Sequence, residues 1–388
     1  MSELLIVGGG VMGLWAAVMA GRAGLATCLV ERSVTGAGAS GGLLGALMPH
    51  MPDRWNAKKQ FQLDALVSLE DEIAELQRAT GLSADYRRCG RLMPLGKPHL
   101  REIALGHEQD AARHWISGER RFHWYVRDAD AGRDWPAAAA ASFGIVHDTL
   151  AARVAPRRLM QVLKTALAQF PHVRVEEGAE VASLDPQRGR LTLSDGRAVS
   201  FGHCILSAGV ESFGLIDRLA HSAQAPSGGA VKGQAALLSA DIDPASPIIF
   251  TDGLYIVAHE DGHVAIGSTS ENRFDEPYST DDQLDALIRR AEALAPALRG
   301  AQVIERWAGL RPKATGREPI VGRHPDHDNL SVLTGGFKVS FGVAHALARF
   351  VIDDIIGPPT IDIPESFACA HHIAALRHQV RSLPGGAP

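Results

Sequence analysis

The stretch LLIVGGGVMGLWAAVMAG, residues 4–21, decides how the chain begins to fold. Leu4 to Val7 is a short apolar run suited to a strand buried on both faces. Gly8-Gly9-Gly10-Val11-Met12-Gly13 reads as a tight turn, and a helical stretch continues to Arg22. Such a run invites confusion with a signal peptide or a membrane span. Glu3 stands where a basic leader residue is expected, glycines punctuate the run and Arg22 stops it early, so both are set aside and the cytoplasm is the expected compartment. Strand, turn and helix instead give G-x-G-x-x-G in a meaningful context. Gly8 permits the turn, Gly10 lets a pyrophosphate approach the backbone, and Gly13 lets helix pack on strand. Val11 and Met12 open the helix whose first N–H groups face the anion.

The second strand, ATCLVER, ends in Glu31-Arg32, eighteen residues beyond Gly13 at the glutamate. A carboxylate there accepts hydrogen bonds from ribose hydroxyls and repels a 2'-phosphate. Next comes SVTGAGASGGLLGALMPH, residues 33–50, a small-residue loop where an NAD-binding domain ordinarily runs on into another helix. It suits a second phosphate and a flat ring lying against backbone.

Composition bounds the remaining choices. The chain has 388 residues, 46% of them hydrophobic and 21% charged, enough for two intimately built domains. With a formal net charge of -5 there is no global basic field, so a small molecule is the expected partner and nucleic acid is not. Four cysteines lie far apart without a C-x-x-C pair; neither a metal site nor a disulfide framework is indicated.

Glu31-Arg32 and the following G-x-G-x-S stretch, Gly36-Ala37-Gly38-Ala39-Ser40, resemble the glycine oxidase/D-amino-acid oxidase (DAO) family of FAD-dependent oxidoreductases. The resemblance continues through ARVAPRRLMQVLKTAL (152–167), ILSAGVESFG (205–214), GGAVKGQAALL (228–238), LYIVAHEDGHVAIGSTSE (254–271) and WAGLRPKATGREPIVGRHPDHDNLSVLTGGF (307–337). It implies an α/β fold: a Rossmann-like FAD-binding domain, doubly wound on a mostly parallel sheet, interleaved with an α+β substrate domain built on an antiparallel sheet. The expected segments are 1–84, 145–220 and 305–357 for the first domain and 85–144 and 221–304 for the second, with 358–388 as a peripheral tail.

The resemblance also implies site residues. Besides the fingerprint, Arg32, Ala39, Ser40 and Gly45 are expected beside the cofactor, with the backbone of Val181 at the adenine and Ala208, Gly209, Gly335, Gly336 and Lys338 nearby. Arg311 is expected to clamp the carboxylate of an amino acid, a bidentate task suited to a guanidinium. From the residues alone, Gly309 and Pro312 mark a tight turn around Arg311, and the competing reading is an ion pair with Glu318. Tyr255, in a hairpin turning at Glu260-Asp261-Gly262, is expected to line the substrate pocket. Lys338 and His259 are the cations available to favour oxygen reduction.

The implied reaction is hydride transfer from the Cα of a small amino acid or secondary amine to noncovalent FAD, with oxygen as acceptor. No cysteine lies between Arg311 and Gly357, where relatives link the flavin covalently. The chain departs from the family pattern at Gly336-Phe337-Lys338-Val339-Ser340, where H-[FY]-R-x-G is usual, and at Ala258-His259, where Pro-Arg is usual. These departures leave the substrate open and keep three alternatives: a dehydrogenase, a modified-nucleoside (tRNA carboxymethylaminomethyl) oxidoreductase, and a noncatalytic or maturation flavoprotein. A homo-oligomer is compatible with the sequence.

Overall fold

In a computed structural model of the chain, residues 2–129, 134–219 and 225–381 are described. The chain divides into two compact units, each assembled from separated segments. The first comprises Met1–Gly41, Met160–Val231 and Leu310–Pro388; the second comprises Gly42–Leu159 and Lys232–Gly309.

The first unit is built on a sheet in which Val173–Glu177, Thr27–Glu31, Ser2–Val7, Ala198–Leu206 and His327–Thr334 run parallel in that order. Ile320–His324 closes one edge antiparallel to His327–Thr334. Strand Ala198–Leu206 also pairs antiparallel with Arg190–Leu193, and that strand with Val181–Asp185. Both faces of the sheet are covered, which is why Leu4, Leu5, Ile6 and Val7 are all buried rather than alternating. Leu5 and Val7 share a core with Phe213 and Ile216 of helix Glu211–Leu219 and with Ile373 and Leu376 of helix Cys369–Arg381. By the pleat, Leu4 and Ile6 point the other way. Helix Val11–Arg22 is buried from Val11 to Gly21 and packs on helix Ser340–Ile356. A helix apolar all round needs such cover on every side.

The second unit carries an eight-stranded sheet in the order Gln302–Ala314, Gly228–Ser239, His263–Gly267, Leu254–Ala258, Ile248–Thr251, Arg91–Pro94, Ile145–Asp148 and Trp124–Arg127. Its described registers are antiparallel except Ile248–Thr251 with Arg91–Pro94. Helix Asp282–Leu294, capped by the Asp281 side chain on the Gln283 N–H, lays Leu284, Leu287, Ile288 and Ala291 on one face of it. The chain passes between units within strands Gly228–Ser239 and Gln302–Ala314.

Two expectations need correction. Residues 42–84, expected with the fingerprint, belong to the second unit. Ala46–Leu47 pairs with Ala152–Arg153, and Arg88 binds Glu70 and the Leu66 carbonyl of helix Ala57–Thr80, so this segment's partners are local to that unit. The stretch after Pro358 is not peripheral along its described part. Cys369, Ile373 and Leu376, spaced for one helical face, are buried in the first unit's core. The terminal PGGAP lies outside the described residues.

Candidate functional site

The fingerprint is shaped by contacts that leave no space for side chains. Gly8 has φ +106°, and a Cβ there meets the Ser207 carbonyl oxygen at 2.4 Å; a Cβ on Gly13 meets the Gly8 carbonyl oxygen at 1.9 Å. Helix Val11–Arg22 therefore starts hard against the end of strand Ser2–Val7, with Gly10 as an N-cap that has no side chain. The Ser40 hydroxyl accepts the Val11 N–H at 2.9 Å, bringing Ala39-Ser40 of the short 3-10 turn Ala39–Gly41 to the helix start. A Cβ on Gly10 meets Ser40 Oγ at 3.2 Å.

Glu31 lies at the end of strand Thr27–Glu31 and its carboxylate accepts the Gly9 N–H at 2.8 Å and the Ser33 N–H at 3.0 Å. Arg32 pairs with Glu211 at 2.9 Å, two residues beyond Gly209. The loop after Glu31 is pinned by a residue that sequence reasoning missed. Glu177 accepts the Thr35 N–H at 2.8 Å, the Thr35 hydroxyl at 2.7 Å and the Lys164 ammonium at 2.6 Å. The Lys164 bond first and the Thr35 bonds next hold its pKa down at about 2. Gly36 then donates to the Gly9 carbonyl at 2.9 Å, and Ala179 to the Glu31 carbonyl at 2.8 Å, which brings the chain to Val181 at a register shift in its strand. Glu177 stands opposite Glu31 across parallel strands, a tertiary relation that leaves no local signal in the sequence.

The closing stretch meets the same place. The Thr334 hydroxyl donates to the Gly209 carbonyl at 2.9 Å, next to Ala208. Gly335 has φ +77°, and the space a Cβ on Gly336 needs is taken by Met12 Cε at 2.4 Å and Ser340 Oγ at 2.5 Å. Where the family pattern has histidine, this chain fills the position from the fingerprint helix instead.

Arg311 is not in a tight turn. It sits near the end of the long strand Gln302–Ala314, which lies at the edge of its sheet. Pro312 is tolerated there because an edge strand has no obligatory use for its missing N–H. The Pro312 carbonyl accepts the Phe337 N–H at 3.1 Å, and Lys313 bridges to Gly336, so Arg311 is carried to the closing stretch. Arg311 is half-buried, whereas Lys338 as a whole residue is exposed. The Lys338 ammonium is nonetheless held below the ordinary lysine pKa, chiefly by lost solvation and secondly by the charge of Arg311.

Among the sequence-predicted residues, Gly45 and Tyr255 fall in the second unit. A Cβ on Gly45 meets the Val154 carbonyl oxygen at 1.9 Å, so close packing on the backbone after strand Ala152–Arg153 already requires glycine. Tyr255 is half-buried in strand Leu254–Ala258 with its ring 4.7 Å from that of Phe250. His259 is buried and bonded to the Leu43 carbonyl at 3.1 Å; desolvation, then Arg153, lowers its pKa, so it is no standing cation at neutral pH. His372 of the tail bonds to the Pro319 carbonyl at 3.1 Å. No group of three or more His, Cys, Asp or Glu suited to a metal ion occurs among the described residues. None of their helices is long and apolar enough to cross a membrane.

Glycines at Gly8 and Gly13 that exclude side chains, a helix start whose N-cap Gly10 has no side chain and a carboxylate at the second strand end fit the pyrophosphate and ribose of a dinucleotide, and define a dinucleotide-binding fold. The chain belongs to the DAO family of FAD-dependent oxidoreductases, whose model matches residues 3–350. Glycine oxidase of Pseudomonas aeruginosa is 30% identical over 95% of this chain and 99% of its own, and that of Pseudomonas putida 27% over 94% and 98%. The crystal structure of glycine oxidase from Geobacillus kaustophilus shares the fold with a TM-score of 0.82, at 21% identity, covering 95% of this chain and 98% of that one. The protein is thus a FAD-dependent amino acid or amine oxidoreductase.

Proposed function

We propose that the enzyme oxidises a small amino acid or secondary amine of the class of glycine, a D-amino acid or an N-substituted glycine, with Arg311 as the carboxylate clamp. The observation that carries this reading is the strand Gln302–Ala314 bonding through Pro312 and Lys313 to the Gly336 loop, which itself packs on Met12 at the fingerprint. A half-buried guanidinium is thereby fixed beside the cofactor-binding loops, and its fork matches a carboxylate with two parallel hydrogen bonds.

FAD, when bound through Gly8 to Gly13, Glu31 and Ser40, supplies the acceptor for the substrate's Cα hydrogen as hydride. Arg311 orients the neutral amine so that its Cα–H is presented in one direction; the gain is positional rather than acid–base. The amine nitrogen's lone pair forms the C=N bond as hydride leaves. Water then adds to the imine and releases ammonia or an amine and an oxo acid. In this reading the first unit holds the cofactor and presents Arg311. Oxygen would be the final electron acceptor and would leave as hydrogen peroxide. With His259 neutral, Lys338 is the cation assigned to that half-reaction.

The test compares each amino acid with its decarboxylated amine on protein with an intact flavin spectrum. Arg311→Lys keeps the charge and loses the fork, with an expected drop of roughly ten- to a hundredfold in kcat/KM for the amino acid. Arg311→Ala loses more, while the amine gains nothing from the clamp in either protein. An amino acid to amine ratio unchanged by Arg311→Ala overturns the reading and makes Arg311 a structural ion-pair residue.

A further inference from the structure

Along Ser40-Gly41-Gly42-Leu43 the chain leaves the cofactor turn, and the two middle residues carry no side chain that could fix its path. The near end is held, because the Ser40 hydroxyl accepts the Val11 N–H at 2.9 Å. Three residues reach at most about 11 Å, so the group that holds Leu43 also limits where Ser40 can stand. That group is His259. Its Nε2 lies 3.1 Å from the Leu43 carbonyl oxygen. A carbonyl only accepts, so Nε2 carries the proton and donates.

His259 is a stiff arm for this bond. It follows strand Leu254–Ala258 directly, its own N–H donates to the His263 carbonyl at 2.8 Å, and the residue is 4% exposed. Nδ1, the lone-pair side of the neutral tautomer, is buried with no hydrogen-bond partner among the described residues. A proton added there is cut off from water and faces the Arg153 guanidinium. Asp261 and Asp85 favour it, but burial and Arg153 prevail and the ring stays neutral at neutral pH. Beyond Leu43 the loop is held by packing and backbone alone. Leu44 Cδ1 lies 2.7 Å from where a Cβ on Gly267 would stand, the Gly45 carbonyl accepts the Val154 N–H at 3.0 Å, and Ala46–Leu47 pairs with Ala152–Arg153. At Leu43 a side chain makes the tie, and it belongs to the Ala258-His259 pair that stands where Pro-Arg is usual.

We propose that His259 is a positioning residue for the cofactor: by donating Nε2–H to the Leu43 carbonyl it fixes the far end of the segment Ser40–Leu43, and through that segment it keeps the Ser40 hydroxyl at the start of helix Val11–Arg22 where FAD binds. The role needs no contact between His259 and FAD, since the effect travels along the covalent chain. It is independent of the reading of Arg311.

The test follows FAD release from holoprotein by the gain in flavin fluorescence, well below the unfolding temperature. Glutamine and asparagine both bring an amide donor, but only the glutamine amide reaches as far as the imidazole Nε2. His259→Gln is expected to release FAD within about twofold of the wild-type rate, and His259→Asn and His259→Leu roughly five- to thirtyfold faster, because a buried carbonyl loses its donor. Ser40→Ala combined with His259→Leu gives the second readout. Both substitutions cut one tether, so the double variant is expected to be accelerated by clearly less than the product of the two single effects. Should His259→Leu not fold, His259→Asn takes its place in both comparisons. Wild-type release from His259→Asn and His259→Leu, or equal acceleration in His259→Gln and His259→Leu, overturns the proposal. So does a double variant whose effects multiply, which makes His259 part of the surrounding packing only.

Discussion

The fingerprint turn at Gly8 to Gly13 and the closing stretch at Gly335 to Lys338 approach each other, with Met12 Cε in the space beside Gly336, yet they are specified by different physics. The first is steric: a carbonyl oxygen stands 1.9 Å from any Cβ placed on Gly13, and the turn tolerates one geometry. The second is electrostatic: Lys313 and Lys338 stand over the ring of Phe337, a phenylalanine in a left-handed conformation, the charge of Arg311 acts on Lys338, and the residue types depart from the pattern that the rest of the chain follows. Steric specification leaves sequence no latitude, so the cofactor end matches the family. Charge acts over several ångströms and can be redistributed among positions, so the substrate end can diverge on the same backbone.

The largest effect that would break this contrast is expected at Gly10. In Gly10→Val, Cβ comes to 3.2 Å from Ser40 Oγ and the two methyls beyond it occupy the pyrophosphate's approach to the helix start. The purified variant should be colourless, with folding intact by circular dichroism; a full flavin complement would mean that the steric account of the cofactor end is wrong.

Next in size is Lys338→Met, measured by stopped-flow mixing of reduced enzyme with oxygen. Loss of the cation is expected to slow reoxidation by roughly ten- to a hundredfold, less than the loss of a fully buried oxyanion donor because Lys338 retains contact with solvent. The wild-type rate should also fall with rising pH below the ordinary lysine range, since desolvation and Arg311 lower this pKa and the charge is lost as pH rises through it. A pH profile identical in the variant would assign the oxygen reaction elsewhere.

The smallest expected effect sharpens the steric side. Glu177 is depressed from 4.5 to about 2 in the folded protein, so its contribution to stability is complete above its unfolded pKa and is lost as pH falls from about 4.5 toward 2. Glu177→Gln should remove that segment of the acid-denaturation curve and, at neutral pH, weaken FAD binding to apoprotein by roughly the worth of one or two hydrogen bonds, less than tenfold. Equal acid sensitivity in variant and wild type would show that Thr35 is held by other contacts.

Much of this was written in the sequence in short-range form. Strand, glycine turn and helix at residues 4–21 can be read because each step depends on neighbours a few residues away. The apolar spacing of Cys369, Ile373 and Leu376 was equally local, but the prolines before it and PGGAP after it suggested a tail. At Arg311 the local rule misled: glycine and proline usually mark a turn, and only the edge position of strand Gln302–Ala314 makes them compatible with extended chain. Reading that segment as a strand is also what places Lys313 on the face of Arg311. The roles of Glu177, bonded across 142 residues to Thr35, and of His259, neutral through burial, depend on tertiary neighbours that no local pattern encodes.

The interleaving of the first unit sets an order of events during synthesis. Residues up to Gly41 leave the ribosome with the strand Ser2–Val7 and the helix Val11–Arg22 already complete in sequence, but the strands that flank them and the helix Ser340–Ile356 that covers them come much later. At about 5–20 residues per second the wait is many seconds, with an all-apolar helix lacking its cover throughout. Folding of the fingerprint unit is therefore expected to be completed only once the strands and helix beyond Leu310 have been made, while Gly42–Leu159 and Lys232–Gly309 can assemble first. Nascent chains arrested before Leu310 should consequently depend on chaperones and bind no flavin, although every glycine of the fingerprint is present.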